Sequence, residues 1–192
     1  EAQYLIEMGE MLNSTGKDSA ALDIFRNTIE TIPEVKKARF KIASIYYFRG
    51  QYDSVLAYYR EELKVNLEAV KLAPHMIASA FENLNQIDSA EVYFKKAVTL
   101  FPKNKIPYEN LGKFYEKYSR YDEAIAAFRQ MAAQKIDSAT TLIGYNKIGD
   151  LFLRKALEET DKITGRDFIS NALKNYKEVL SIDKFNIEAR RK

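Results

Sequence analysis

Cysteine and tryptophan are absent from this chain, histidine occurs once, and glycine and proline number only seven and four among 192 residues. Without a thiol there is no disulfide, no thiolate metal site and no Cys nucleophile, and the redox compartment is left open. A cytosolic and an extracytoplasmic home are equally permitted. A lone imidazole, His75, makes neither a zinc site nor a triad. Glycine is too sparse for a phosphate cradle, and neither G-x-G-x-x-G nor G-x-x-x-x-G-K-[ST] occurs. No apolar run approaches the roughly 20 residues of a membrane span. The start at Glu1 gives no expectation of a cationic leader. The chain opens there without Met and is expected to be a trimmed or processed piece of something larger. Neither sign of charge dominates, with 30 Lys and Arg against 27 Asp and Glu, interspersed. That balance leaves no basic stripe for nucleic acid and little counterion release. The expectation is no catalytic residue, no metal, no cofactor and no nucleic-acid partner, with acidic residues serving helix ends and solvated faces.

What the chain does contain is a repeat. A small residue follows a large apolar one at Met8-Gly9, Ile42-Ala43, Ile77-Ala78, Leu111-Gly112 and Ile148-Gly149, in steps of 34, 35, 34 and 37. Three residues beyond each stands Leu12, Tyr46, Phe81, Tyr115 or Phe152. Further on, Ala21, Val55, Ala90, Ala124 and Ala172 each precede an aromatic by four residues, namely Phe25, Tyr59, Phe94, Phe128 and Tyr176. Pro33 and Pro102 each fall eight residues after an aromatic of this set, where a chain leaving a helix must turn.

This pattern resembles the tetratricopeptide repeat (TPR) family, whose signature is W-x2-L-G-x2-Y, then A-x3-F, then P, over 34 residues. The resemblance implies an all-α fold, an α-α superhelix or TPR solenoid of five helix-turn-helix repeats plus the start of a sixth. The repeats run over 2–35, 36–70, 71–104, 105–138 and 139–183, with 184–192 opening another, all within a single domain of residues 1–192. The Trp column departs from the signature, holding Leu5, Arg39, Pro74, Tyr108 and Tyr145. Glu62 occupies a column that holds Ala97 one repeat later, and must find solvent or a partner.

Each copy reads as an antiparallel pair, helix A then helix B, that buries its apolar face only by stacking on its neighbours. Gly16 and Gly50 suit left-handed helix ends. Asp53, Asp88 and Asp122 are placed to cap the B helices, as is Asp18 or Ser19 in the first copy. Pro74 and Pro107 suit the first turns of A helices. The fifth copy is longer by 11 residues between its A and B columns. Shared equally, these extend both helices by about 8 Å, around a turn expected near Thr164-Gly165. The pair reads either as an elongation packed on itself or as a finger for a partner. At the end, "DKFNIEARRK" restates "PEVKKARFK", so residues 184–192 read as another A helix. The array is expected to continue, and an uncapped last repeat would favour self-association.

By the same resemblance, ligands are extended or helical peptides held on the concave A-helix face. Helical spacing puts Phe40, Ser44, Tyr47, Phe48, His75, Met76, Ser79, Asn110, Lys113, Lys117, Asn146 and Asp150 on that face, flanked by Ile6, Glu10, Asn13, Lys41, Glu82, Glu109 and Arg154. The second and third copies offer an aromatic, soft patch and the later two a mixed polar surface. Phe40 and Phe48 could equally pack against neighbouring A helices. Chaperone-binding members hold a C-terminal carboxylate with Lys, Asn and Arg at set A-helix places. Started at the first copy, that set lands on Ile6, Glu10, Lys41, Leu72 and Met76. Started at the third, it lands on His75, Ser79, Asn110, Ile143 and Lys147. Neither reproduces the clamp. The expected function is a non-catalytic protein-protein interaction module binding a peptide or protein segment of unknown identity. The alternatives are a regulatory or substrate-selecting arm of a larger sensor or enzyme, and a component of an extracytoplasmic envelope-assembly or secretion complex.

Overall fold

The computed structural model describes residues 2–35, 37–65 and 74–191, with the side chains of all but 63–65 and 188. The expected boundary between the second and third repeats, and Leu72, lie outside the described residues. The helices in chain order are α1 (Ala2–Ser14), α2 (Asp18–Thr31), α3 (Ala38–Phe48), α4 (Tyr52–Val65), α5 (Pro74–Asn83), α6 (Ile87–Leu100), α7 (Lys105–Lys117), α8 (Tyr121–Ala133), α9 (Ser138–Glu158), α10 (Lys162–Ile182) and α11 (Ile187–Arg191). No strand occurs among the described residues. The odd-numbered helices from α1 to α9 are the A helices of the five copies and the even-numbered ones are the B helices, as the column spacing requires. No helix among these residues is long and apolar enough to cross a membrane.

The chain falls into two compact units, Glu1–Ala97 and Val98–Lys192. In the first, Ile6 of α1, Leu22 and Phe25 of α2 and Ile42 and Ile45 of α3 make one apolar cluster. Ala43, Val55, Leu56, Tyr59, Ile77 and Ala80 make the next, joining α3 to α4 and α5. In the second unit α7 packs on α8, α8 on α9, α9 on α10 and α10 on α11. Its last layer holds Ala172, Tyr176, Val179 and Ala189. Ala189 is buried, so α11 docks as the restated A-helix motif requires, with Asn186 Oδ1 accepting the Ala189 amide at 3.1 Å. Phe185 and Ile187 beside it remain exposed.

The small residues of the repeat are packing joints. A methyl group placed on Gly112 would overlap the Phe128 ring, with Cε2 2.5 Å away, and Gly9 and Gly149 meet Phe25 and Tyr176 in the same way. Helix A and helix B therefore approach to the thickness of a ring lying on bare backbone.

The A-to-B turns share one geometry. Gly16, Gly50, Asn85 and Ser119 all adopt left-handed backbone, with φ of 76°, 72°, 57° and 55°. The next residue's amide then donates to the carbonyl of Leu12, Tyr46, Phe81 or Tyr115 at 2.8–2.9 Å, which closes the A helix. Asp53, Asp88 and Asp122 do not cap the B helices as expected. Those helices already begin at Tyr52, Ile87 and Tyr121, and α2 begins at Asp18 itself. After the left-handed residue only one residue separates the helices, and it serves through its backbone: the carbonyls of Lys17 and Arg120 accept from Ala21 and Ala124 at 3.0 and 3.1 Å. Neither Lys17 nor Arg120 makes a side-chain cap bond. The aspartates act instead as first-turn charges against the helix dipole.

Side-chain caps occur where connections differ. Asn104, Asp137 and Asp161 accept from the amides of Ile106, Thr140 and Thr164. The Asp161 cap corrects the expected position of the fifth turn. The chain reverses over 159–161, and Thr164 and Gly165 already lie in α10. Gly165 is buried within α10, where a Cβ would make only an ordinary 3.9 Å contact with the Ala156 carbonyl, so neither a turn nor a close approach requires glycine there. Both helices of this pair have 21 residues against 13 in α7 and α8. At 1.5 Å per residue each is longer by about 12 Å.

Two members of the Trp column make the same bond. Arg39 Nη1 donates to the Pro33 carbonyl at 3.2 Å, and the Tyr108 hydroxyl donates to the Pro102 carbonyl at 3.1 Å. In each case a polar head replaces the indole and holds the carbonyl of the proline six residues upstream.

Candidate functional site

The side chains expected on the A-helix face separate into those that packing consumes and those it leaves. On α3, Phe40, Ser44 and Tyr47 are half-buried, whereas Phe48 is 81% exposed. The Tyr47 ring meets Phe48 edge-on at 5.6 Å and Tyr52 at 6.0 Å. Tyr47 also packs on the cluster around Val55 and Ile77. The Lys41 ammonium pairs with the Glu10 carboxylate of α1, tying two A helices together.

On α5 the available face is narrower than the spacing suggests. Met76 is only 7% exposed, alongside buried Ile77 and Ala80, and presents little surface to a ligand. The thioether fills the core because α5 is apolar on most of its circumference. His75 is exposed and Ser79 half-buried. The atoms around the His75 imidazole desolvate its cationic form and lower its pKa below the ordinary value.

In the second unit Asn110 is half-buried on α7, and Lys113 and Lys117 are exposed. On α9, Asn146 and Asp150 are half-buried. Asp150 Oδ1 accepts from the Tyr176 hydroxyl of α10 at 2.7 Å. Burial, and then this bond, raise the Tyr176 pKa. Asp150 is thus oriented from the B helix beneath it.

Here α7 and α9 enclose a pocket of about 320 Å³ lined by Glu116, Lys147, Asp150, Leu151, Leu153, Arg154 and Leu157. Of these, Asp150 and Arg154 lie on the expected face and its flank. Glu116, Lys147 and Leu157 do not, because the site wraps one position further around each A helix than the repeat columns indicate. Glu116 follows the Tyr115 column directly, and that adjacency was the available signal. Arg154 Nη1 lies 3.9 Å from Glu116 Oε2. The other Glu116 oxygen, Oε1, is buried and accepts no hydrogen bond. Among the described residues no group of three or more His, Cys, Asp and Glu is placed to hold a metal ion.

A tetratricopeptide-repeat family model matches residues 75–104. No curated protein sequence matches the chain. Solved structures do. The crystal structure of MamA is 16% identical, with 97% of this chain and 96% of that one covered and a TM-score of 0.70. YrrB, described as a TPR protein with an unusual peptide-binding site, is 17% identical over 100% of this chain and 91% of its own, at a TM-score of 0.66. The C-terminal part of a TPR repeat-containing protein from Cytophaga hutchinsonii is 16% identical over 100% and 72%, also at 0.66. At such identities these structures speak to the fold alone, and it is the fold of helix pairs. The matched repeat contains the Ala78 joint, the Asn85 turn and the Phe94 ring, and those features recur in the copies on either side. Residues 75–104 match the tetratricopeptide-repeat model, and the chain as a whole has the helix-pair fold of these tetratricopeptide-repeat structures.

Proposed function

We propose that this chain is a non-catalytic interaction module that holds a peptide or protein segment against its A helices. The observation that carries this reading is the pocket in the second unit, whose wall is built only from α7 and α9, two A helices. Concave sites with a few convergent polar groups are where ligands are held. In the first unit, taken by itself, α3 and α5 carry the protruding Phe48 ring, His75 and Ser79. The description of YrrB as carrying a peptide-binding site is consistent with a ligand of this kind.

The test is selection of binding segments from a displayed random peptide library on the full chain, followed by mapping of backbone amide shifts. The expected result is perturbation on α3, α5, α7 or α9. Perturbation confined to the B helices, or a library that yields no binder, would overturn the reading.

A further inference from the structure

The pocket between α7 and α9 carries two acids, Glu116 and Asp150, and two bases, Lys147 and Arg154, with Leu153 and Leu157 beside them. Formal charge nearly cancels, so a net field does not choose the ligand, and hydrogen-bond capacity does. The Glu116 side chain is only 16% exposed. Its Oε1 is buried and accepts nothing, and Oε2 has Arg154 Nη1 at 3.9 Å, beyond a hydrogen bond. A carboxylate oxygen withdrawn from water without a donor is among the more expensive features a fold can retain. Arg154, by contrast, is 56% exposed and free to move outward. The deepest unmet demand in the pocket is therefore for N–H donors.

From this we infer that the pocket receives a lysine or arginine side chain of the bound segment. Its cationic head donates to Glu116, while Arg154 occupies the approach as a weak internal competitor. The aliphatic stem of the incoming residue lies along Leu153 and Leu157, the latter 86% exposed. Asp150, fixed by the Tyr176 hydroxyl, adds a second negative group to the wall. Lys147 sets the register, by repelling a second cation and favouring an acidic or neutral neighbour in the segment. The inference rests on the A-face reading and narrows it to one residue class at one place.

The arrangement makes opposite predictions for two neighbouring residues. Glu116→Gln keeps the shape and removes the charge, and should weaken the site at least tenfold. Arg154→Gln removes the competitor and should strengthen it several-fold. A purely structural Glu116–Arg154 contact would make both variants act in the same direction.

The experiment titrates the intact chain with N-acetyl-arginine methylamide, N-acetyl-lysine methylamide, N-acetyl-glutamate methylamide and N-acetyl-leucine methylamide, reading amide shifts of residues 113–117 and 147–157. Saturable shifts with the arginine and lysine compounds, lost in Glu116→Gln and enhanced in Arg154→Gln, are expected. Preference for the glutamate compound would overturn the inference and assign the pocket to Lys147 and Arg154 as an anion site. No shift with any compound, in a wild-type chain whose spectrum is folded, would also overturn it. If library-selected peptides bind the A helices without a basic residue at this pocket, this inference fails while the interaction reading stands. If the arginine compound binds but no peptide does, the interaction reading fails while the pocket stands.

Discussion

Arg39 and Glu62, each a departure from the repeat pattern in its own column, lie together: Nη1 to Oε2 is 3.9 Å, with side chains only 12% and 2% exposed. The guanidinium that replaces the Trp-column residue also holds the Pro33 carbonyl, so one substitution accommodates the other. Breaking a buried pair from one side typically destabilises by about 3–5 kcal/mol, whereas apolar replacement of both partners is often neutral. Arg39→Leu alone should therefore be strongly destabilising. Arg39→Leu with Glu62→Ala, the residue of the Ala97 column, should recover most of the loss. Urea denaturation of both singles and the double measures the coupling. Additive losses would mean that the two residues act independently.

A methyl group at Gly112 has no space, since Phe128 is 1% exposed and its ring already lies on the α7 backbone. Gly112→Ala should gain about 1 kcal/mol in helix propensity but lose roughly 1–3 kcal/mol to overpacking. A net fall in midpoint is expected. Pairing it with Phe128→Leu should reduce that fall, because the smaller side chain yields the volume. Ala43 and Ala78 occupy the same joint in two other copies, where the repeat carries a methyl.

How much of this was legible beforehand depends on whether a feature lies in the repeat. The joints, the aromatic columns and the left-handed turns at Gly16 and Gly50 recur at fixed spacing, and the structure places them accordingly. Gly165 points to the wrong place for the turn of the fifth pair, because a glycine inside a helix looks like a turn residue in sequence. The decisive signal was local, an aspartate three residues ahead of Thr164. Asp53, Asp88 and Asp122 differ from the expected caps because a left-handed turn leaves no extended residue for a cap to occupy. The pocket residues Glu116 and Lys147 were missed for a different reason. The repeat dictates what packs, and a site consists of what packing leaves over, which three-dimensional neighbours decide.

Asn85 and Ser119 occupy a conformation that costs an L-residue about 1–2 kcal/mol, where Gly16 and Gly50 do not bear that strain. Ser119→Gly should raise the melting temperature by a small amount, since relief of strain exceeds the added freedom of the unfolded chain. Gly50→Ala should lower it. A decrease for Ser119→Gly would show that its side chain contributes more than its backbone strain removes.

Asp161 and Asp137 are held below the ordinary carboxylate value of 3.8, chiefly by the backbone amides of Thr164 and Thr140. Because the folded values are depressed, the capping contribution is complete above 3.8 and is lost as pH falls through the lower folded values. Hydrogen exchange at the Thr164 amide, corrected for intrinsic rate, should therefore accelerate below that value. In Asp161→Asn the acid-dependent step should vanish at Thr164 and persist at Thr140. A step at Thr164 that survives the substitution would assign the protonation to another carboxylate.

Phe48 separates binding from stability more cleanly than any other residue of the expected face. Its ring is 81% exposed and rests only edgewise on Tyr47, so Phe48→Ser should change stability by less than about 0.5 kcal/mol. Tyr47 packs on the apolar cluster as well, and Tyr47→Ala confounds the two effects. Exposed aromatics that anchor a partner typically lose more than about 1 kcal/mol of binding when truncated, a factor of five or more. If the selected segments extend along α3, Phe48→Ser should weaken them by that factor with an unchanged melting temperature and circular dichroism spectrum. Unchanged affinity would remove α3 from the contact.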